Sequence, residues 1–275
     1  MSAQHLKRLA TLLLPVGRLL RTGPGTPKAA NHWRRAVVYV AWGRSHIEEA
    51  AKSATTAGIV GVDRLLITNA ESRGFLDPAA PFERVIEHAF ALPGLLAKTE
   101  MFEVLPPEYN SFVFLDTDTH ILLDISQGFE KAETYGIAAA QAAAYSLEHF
   151  WGFEKVLDNI GFNSRDILQY NTGVVFFTRA PQAWRVLEKW RELCGTAMDG
   201  AAVWADQPYL TLAMELLGFN PYTLSIAYNY RNFGEQVSGR IRIWHSHTPA
   251  PADVNEFDKA WPPRRFLHGR RLEDS

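Results

Sequence analysis

Asp116 and Asp118 stand one residue apart in Phe112-Val-Phe-Leu-Asp-Thr-Asp-Thr-His-Ile-Leu-Leu123, directly after four apolar residues and shortly before three more. Carboxylates this close repel each other, and burial beside an apolar strand makes their ionisation costlier still. A divalent cation removes both difficulties. Alternate residues of an extended strand point the same way, so both side chains can reach one ion. Oxygen ligands favour Mg²⁺, Mn²⁺ or Ca²⁺. A cation held by one or two carboxylates commonly completes its shell with substrate phosphates. The stretch therefore points to a metal-bridged diphosphate, with a solvent-facing turn capped by two acids as the plain alternative.

The elements that must position this pair are legible in outline. Ala36–Ala41, Asp63–Thr68 and Ser111–Leu115 read as apolar strands, and Ser45–Thr56 as a helix between the first two. Such a β-α-β unit predicts a parallel strand pair with a ligand site at the carboxyl ends of the strands. Residues 94–104 look helical; 135–140, 172–177 and 241–244 are further strand candidates. Pro181–Leu193 reads as an amphipathic helix with Trp184, Leu187, Trp190 and Leu193 on one side, and its leading proline suits a helix start. Asp206–Leu217 is another helix. Strands alternating with helices predict an α/β domain.

The 275-residue chain is long enough for one large core, and its 47% hydrophobic and 21% charged residues are ordinary for a globular protein. Cys194 stands alone, which excludes an intramolecular disulfide and a CxxC metal site and fits a reducing compartment. The charge is uneven. Lys7, Arg8, Arg18, Arg21, Lys28, Arg34, Arg35 and Arg44 precede the first acid, Glu48. The remaining 20 basic residues stand against all 30 acids, so the rest of the chain carries −10. Leu6, Leu9, Leu13, Val16 and Leu20 make one apolar helical stripe beside the first cations. Three readings fit it: a helix docked on the body, a basic amphipathic helix lying on an anionic membrane, or a targeting peptide. Its apolar run is too short to span a bilayer. The expected organisation is a basic arm and linker over residues 1–33, a domain over 34–262 and a basic tail over 263–275. The expected location is cytoplasmic, with peripheral contact at the inner face of a membrane if the arm binds lipid.

Six short motifs in order resemble the nucleotide-sugar glycosyltransferases of the GT-A fold, in particular glycosyltransferase family 8, the glycogenin-like group. They are Val37-Val-Tyr-Val-Ala-Trp-Gly43, Leu96-Ala-Lys-Thr-Glu-Met-Phe102, Val113-Phe-Leu-Asp-Thr-Asp-Thr119, Tyr170-Asn-Thr-Gly-Val174, Ala205-Asp-Gln207 and Ile241-Arg-Ile-Trp-His245. The resemblance covers about Ala36 to Trp261. It implies a single GT-A, Rossmann-like α/β domain with a mixed central sheet flanked by helices. It implies that Val40, Ala41, Trp42 and Gly43 seat the nucleotide, that Lys98 and Thr117 belong to the donor site, and that Asp116, Asp118 and His245 hold the metal. Asn171, Asp206 and Gln207 would orient the sugar, with Asp206 near the reacting face. The implied activity is transfer of a sugar, with retention, from a UDP-sugar to a glycan, lipid or protein acceptor.

Each piece also has its own chemistry. An amide such as Asn171 offers both a donor and an acceptor to sugar hydroxyls, although an Asn before a strand is often a turn residue. Asp206 at a helix start can instead be an N-cap. A histidine ligand tilts the metal towards manganese, with magnesium as the alternative, and His247 could take the place of His245. The family commonly continues with a glycine and a lysine after the third ligand, and the lysine steadies the leaving diphosphate. Here His245-Ser-His-Thr-Pro-Ala-Pro-Ala-Asp253 has neither, leaving His247, Lys259, Arg264 and Arg265 as candidate substitutes. The departure keeps open a catalytically silent nucleotide-sugar-binding protein. A haloacid-dehalogenase-type phosphatase also places Asp-x-Asp after a strand, but its following Thr or Val is His120 here, and its downstream Gly-Asp-x-x-x-Asp is missing. Nucleic acid is not an expected partner, because the basic arm lacks interleaved aromatic residues.

Overall fold

The computed structural model describes residues 33–196, 205–256 and 264–272. The expectations for the N-terminal arm therefore lie outside the described residues, as does Lys259. Seven strands form the main sheet, in the order β3-β2-β1-β4-β7-β6-β8. They are β1 (Arg35–Val40), β2 (Asp63–Thr68), β3 (Arg84–Glu87), β4 (Ser111–Leu115), β6 (Ile137–Ser146), β7 (Leu168–Thr178) and β8 (Tyr222–Leu224). β3, β2, β1 and β4 run parallel, and β7 is antiparallel to both β4 and β6. The sheet is thus mixed, as expected.

Helices cover both faces, and the strand sequences show why. β1 after Arg35 and β4 after Ser111 are apolar without a break, the pattern of strands buried on both sides. Val38, Val40, Phe112, Phe114, Val175 and Phe177 point to one face, against α3 (Pro181–Thr196) and α4 (Gln207–Leu216). Val37, Tyr39, Val113, Leu115, Val174 and Phe176 point to the other, against α1 (Arg44–Ala57) and α2 (Ser126–Tyr135). Trp190 of α3 is fully buried, as the amphipathic reading of that helix requires. Gly128 lets α2 lie almost on the sheet: a Cβ there would stand 2.4 Å from the Phe176 ring.

Two small sheets extend this body. In one, β11 (Ile243–His245) lies between β5 (Thr119–Ile121) and β9 (Tyr230–Arg231). In the other, β10 (Phe233–Val237) pairs with β12 (Arg264–Leu267), and β12 with β13 (Arg270–Leu272). The described part of the basic tail expected over residues 263–275 thus consists of two paired strands and their turn. Their residues alternate, so that Phe266 turns inward onto Trp244 and Tyr230, with ring centroids 5.6 and 5.9 Å away. His268 and Gly269 close the hairpin at φ 50° and 76°, the left-handed pair that a two-residue turn demands.

Candidate metal centre and its cleft

β4 delivers Asp116 to the carboxyl edge of the main sheet, where its N–H donates to Gly173 O at 2.8 Å and extends the β4–β7 ladder by one rung. The chain then turns. Thr119 N and Oγ1 both donate to Asp116 O, at 3.2 and 2.8 Å. Asp116 and Asp118 are thus brought together by a turn rather than by strand alternation, which corrects the geometry expected from their spacing. β5 begins at Thr119 and pairs antiparallel with β11 in a register that sets His245 opposite Thr119. Ser246 N donates to Asp118 O at 2.9 Å. Backbone pairing alone therefore places a residue 127 positions downstream of Asp118 beside it.

One ligand atom each from Asp116, Asp118 and His245 lies within 4.8 Å of the others. His245 Nε2 is 3.2 Å from Asp118 Oδ1 and 3.8 Å from Asp116 Oδ2. Burial would raise the Asp118 pKa, but the charge of and hydrogen bond from His245 outweigh it and bring it to about 2. Burial likewise opposes protonation of His245, and the two aspartates reverse that and raise its pKa. Two carboxylates and an imidazole nitrogen make a donor set suited to a hard or borderline divalent ion. Space supports this fit. A Cβ at residue 173 would stand 2.2 Å from His245 Cε1 and 2.9 Å from Asp116 Oδ2, so only glycine leaves the centre open.

The trio faces a cleft of about 250 Å³ that is also lined by Val40, Ala41, Trp42, Lys98, Thr117 and His247. Trp42 packs on Phe90 at 5.1 Å between ring centroids. Gly43 does not line the cleft; it precedes α1 at φ 77° and donates its N–H to Ser72 Oγ at 2.8 Å. His247 is 76% exposed at the rim, with Nδ1 2.6 Å from Glu49 Oε1 and Nε2 3.8 Å from Asp118 Oδ2. Thr117 Oγ1 donates to the other oxygen of Glu49 at 2.5 Å. Of the two candidate third ligands, His245 is the one within the trio. Arg264 is buried and donates to the carbonyls of Val254 and Gly239, so it is committed elsewhere.

The fold of this body is shared with a solved glycosyltransferase, mouse xyloside xylosyltransferase 1. The match has 14% identity and a TM-score of 0.51, and it covers 80% of this chain and 99% of that one. The glycosyltransferase GlyE of Streptococcus pneumoniae TIGR4 aligns with 14% identity and a TM-score of 0.49, over 82% of this chain and 57% of that one. No family model and no curated protein matches the chain.

Behind the cleft, Lys98 is 4% exposed and lies on a 3-10 helix, Gly94–Glu100. Its ammonium bridges Asp116 Oδ1 at 3.0 Å and Asp206 Oδ1 at 3.1 Å. Burial alone would lower its pKa, and these two carboxylates raise it instead. Asp206 starts α4 without capping it, since its side chain accepts no N–H of the first turn. It is 2% exposed, its Oδ2 has no hydrogen-bond partner, and burial raises its pKa against the opposing pull of Lys98. Asn171 and Gln207 are also buried, and Asn171 Nδ2 donates to Gln207 Oε1 at 3.1 Å. Asn171 Oδ1 accepts from Gly173 N at 2.9 Å and from Asn229 Nδ2 at 2.7 Å. Sequence reasoning missed Glu49, Gln169 and Asn229. Each is a polar residue type found everywhere on protein surfaces, and only packing shows that Gln169 and Asn229 are inside.

Proposed function

We propose that the protein is a metal-dependent glycosyltransferase of the family 8 type, moving a sugar with retention from a nucleotide-diphosphate sugar to a glycan, lipid or protein acceptor. The observation that carries this reading is the convergence of Asp116, Asp118 and His245 on a cleft at the sheet's carboxyl edge. The fold is one that a xyloside xylosyltransferase also uses. UDP-sugars are the first donors to test. A bound divalent ion, manganese by its nitrogen ligand with magnesium as alternative, would supply Lewis-acid stabilisation of the leaving diphosphate.

The chain's own residues do the rest. Asp116, Asp118 and His245 hold the ion. Val40, Ala41 and Trp42 form the wall for the nucleotide. Lys98 fixes the separation of Asp116 and Asp206, so that the metal end and the sugar end of the site share one buried cation. Asp206, with an unpartnered oxygen, is the carboxylate this reading assigns to the sugar's reacting face. Asn171 and Gln207 each retain one amide N–H beyond their bonds to protein, enough for one sugar hydroxyl apiece. His247, held by Glu49 at the rim, takes the place of the absent lysine.

The test is a thermal-shift panel of UDP-, GDP-, CDP- and TDP-sugars with Mn²⁺ and with chelator. A donor at 100 times its Kd stabilises the fold by about 2.7 kcal/mol. The expected outcome is a Mn²⁺-dependent shift for one nucleotide series, lost in Asp118→Ala, followed by donor hydrolysis. Metal-dependent donor binding without turnover on any acceptor would replace this reading with the silent binding protein, which the missing lysine favours. Response to no donor, with phosphatase turnover lost in Asp116→Asn, would replace it with a phosphate hydrolase.

A further inference from the structure

Behind His245 runs an unbroken line of four buried amides. Gln169 Nε2 donates to Ser146 O at 3.1 Å, and Gln207 Nε2 donates to Gln169 Oε1 at 3.3 Å. Asn171 Nδ2 donates to Gln207 Oε1 at 3.1 Å, and Asn229 Nδ2 donates to Asn171 Oδ1 at 2.7 Å. The line ends where Asn229 Oδ1 meets His245 Nδ1 at 2.6 Å. Gln169, Asn171, Gln207 and Asn229 are at most 7% exposed.

The direction of every bond is forced. A backbone carbonyl only accepts, so Ser146 O compels Gln169 to present its NH₂ there and its oxygen to Gln207. The same logic passes to Gln207, Asn171 and Asn229 in turn. A second anchor agrees with the first: Gly173 N–H only donates, and it points at Asn171 Oδ1 at 2.9 Å. Asn229 must therefore offer its oxygen to His245, and an oxygen there demands a proton on Nδ1. The protonated ring also donates from Nε2 to Asp118; once that proton is lost, Nε2 is left as a lone pair on the side where Asp118 Oδ1 and Asp116 Oδ2 stand.

We propose that this amide relay sets the tautomer of His245, and that Asn229 is the positioning residue that presents Nε2 as a ligand for a divalent cation. The inference rests on the metal-dependent reading above. It draws together residues from β7, the start of α4 and the segment after the 3-10 helix Ile226–Tyr228. Outer partners of this kind govern ring orientation and basicity of metal-binding histidines.

The experiment is ¹⁵N-detected imidazole NMR on the metal-free full chain at alkaline pH, paired with Mn²⁺ calorimetry on the same samples. In the wild type, His245 is expected as the Nδ1–H tautomer; an Nε2–H tautomer would overturn the relay without recourse to any variant. Asn229→Leu is expected to shift His245 towards Nε2–H and to weaken Mn²⁺ binding about 10–100-fold. Gln169→Met breaks only the far end, and Gly173 N–H still holds Asn171, so tautomer and Mn²⁺ affinity should stay within about twofold of wild type. Equal damage from both variants would mean that the amides act as a packing unit, and the relay fails. The two readings separate cleanly. Nδ1–H in a wild type that binds neither Mn²⁺ nor Mg²⁺ would sink the metal-dependent function and the ligand role of Nε2, while the relay's control of the tautomer would stand.

Discussion

Single residues at this site are constrained by space as much as by chemistry. Gly173 is the clearest case: its φ is not in the left-handed region, so conformational freedom is not what it supplies. It supplies room, because its missing side chain is the volume between Asp116 and His245. Gly173→Ala is therefore expected to push His245 off the trio and to weaken Mn²⁺ binding at least about tenfold by calorimetry. Overpacking should also cost about 1–3 kcal/mol of stability in chelator. Unchanged Mn²⁺ affinity would mean that the open space is incidental. The same spatial logic explains Asp206, whose place at a helix start suggests a cap but whose side chain is drawn inward by Lys98.

Elements explain how a cleft wall is kept in place around so polar a site. Glu100 ends the 3-10 helix that carries Lys98, is 1% exposed, and reaches back to the segment after β3. It accepts from Ala91 N and Leu92 N and lies 2.9 Å from His88 Nε2. That segment includes Phe90, which backs Trp42 in the cleft. Burial opposes ionisation of Glu100, but these donors outweigh it and lower its pKa. A carboxylate with a depressed native pKa adds stability above its unfolded value, near 4.3, and loses it as pH falls through the native one. Glu100→Gln should thus cost about 1.5–3 kcal/mol at pH 7, and the gap should close on acidification below about pH 4. Urea titrations across that range measure it, and a gap independent of pH would refute the clamp. The sequence showed residues 94–104 as helical, but not that the polar end of that segment holds a neighbouring strand's exit.

For the molecule as a whole, charge is uneven along the chain, with a basic arm ahead of an acidic body. Among the described residues no helix is long and apolar enough to cross a membrane. We propose that residues 1–30 bring the protein to an anionic membrane, where each Lys or Arg near the surface contributes about 1 kcal/mol. A chain lacking those residues is expected to keep its donor-dependent thermal shift and to lose sedimentation with anionic vesicles. Undiminished vesicle binding would assign membrane contact to another surface or to none.

Local pattern was enough to place several elements. Apolar runs declared β1, β2 and β4, the Trp and Leu spacing declared α3, and the acids after β4 declared a charged edge. Pairing between distant segments was settled only by the fold. Residues 241–244 read as a strand, but nothing local shows what it pairs with; the β5–β11 register is what sets His245, rather than His247, within the trio. That residues 264–272 pair as strands was hidden for a related reason. Charge dominates that stretch in composition, while Phe266 packs inward against Trp244 on the same face as the buried Arg264. Gln169 and Asn229, which complete the line of buried amides behind His245, were invisible for the most general reason. Gln and Asn are common polar residues, and nothing in a linear sequence shows which of them will lose contact with water and must satisfy one another instead.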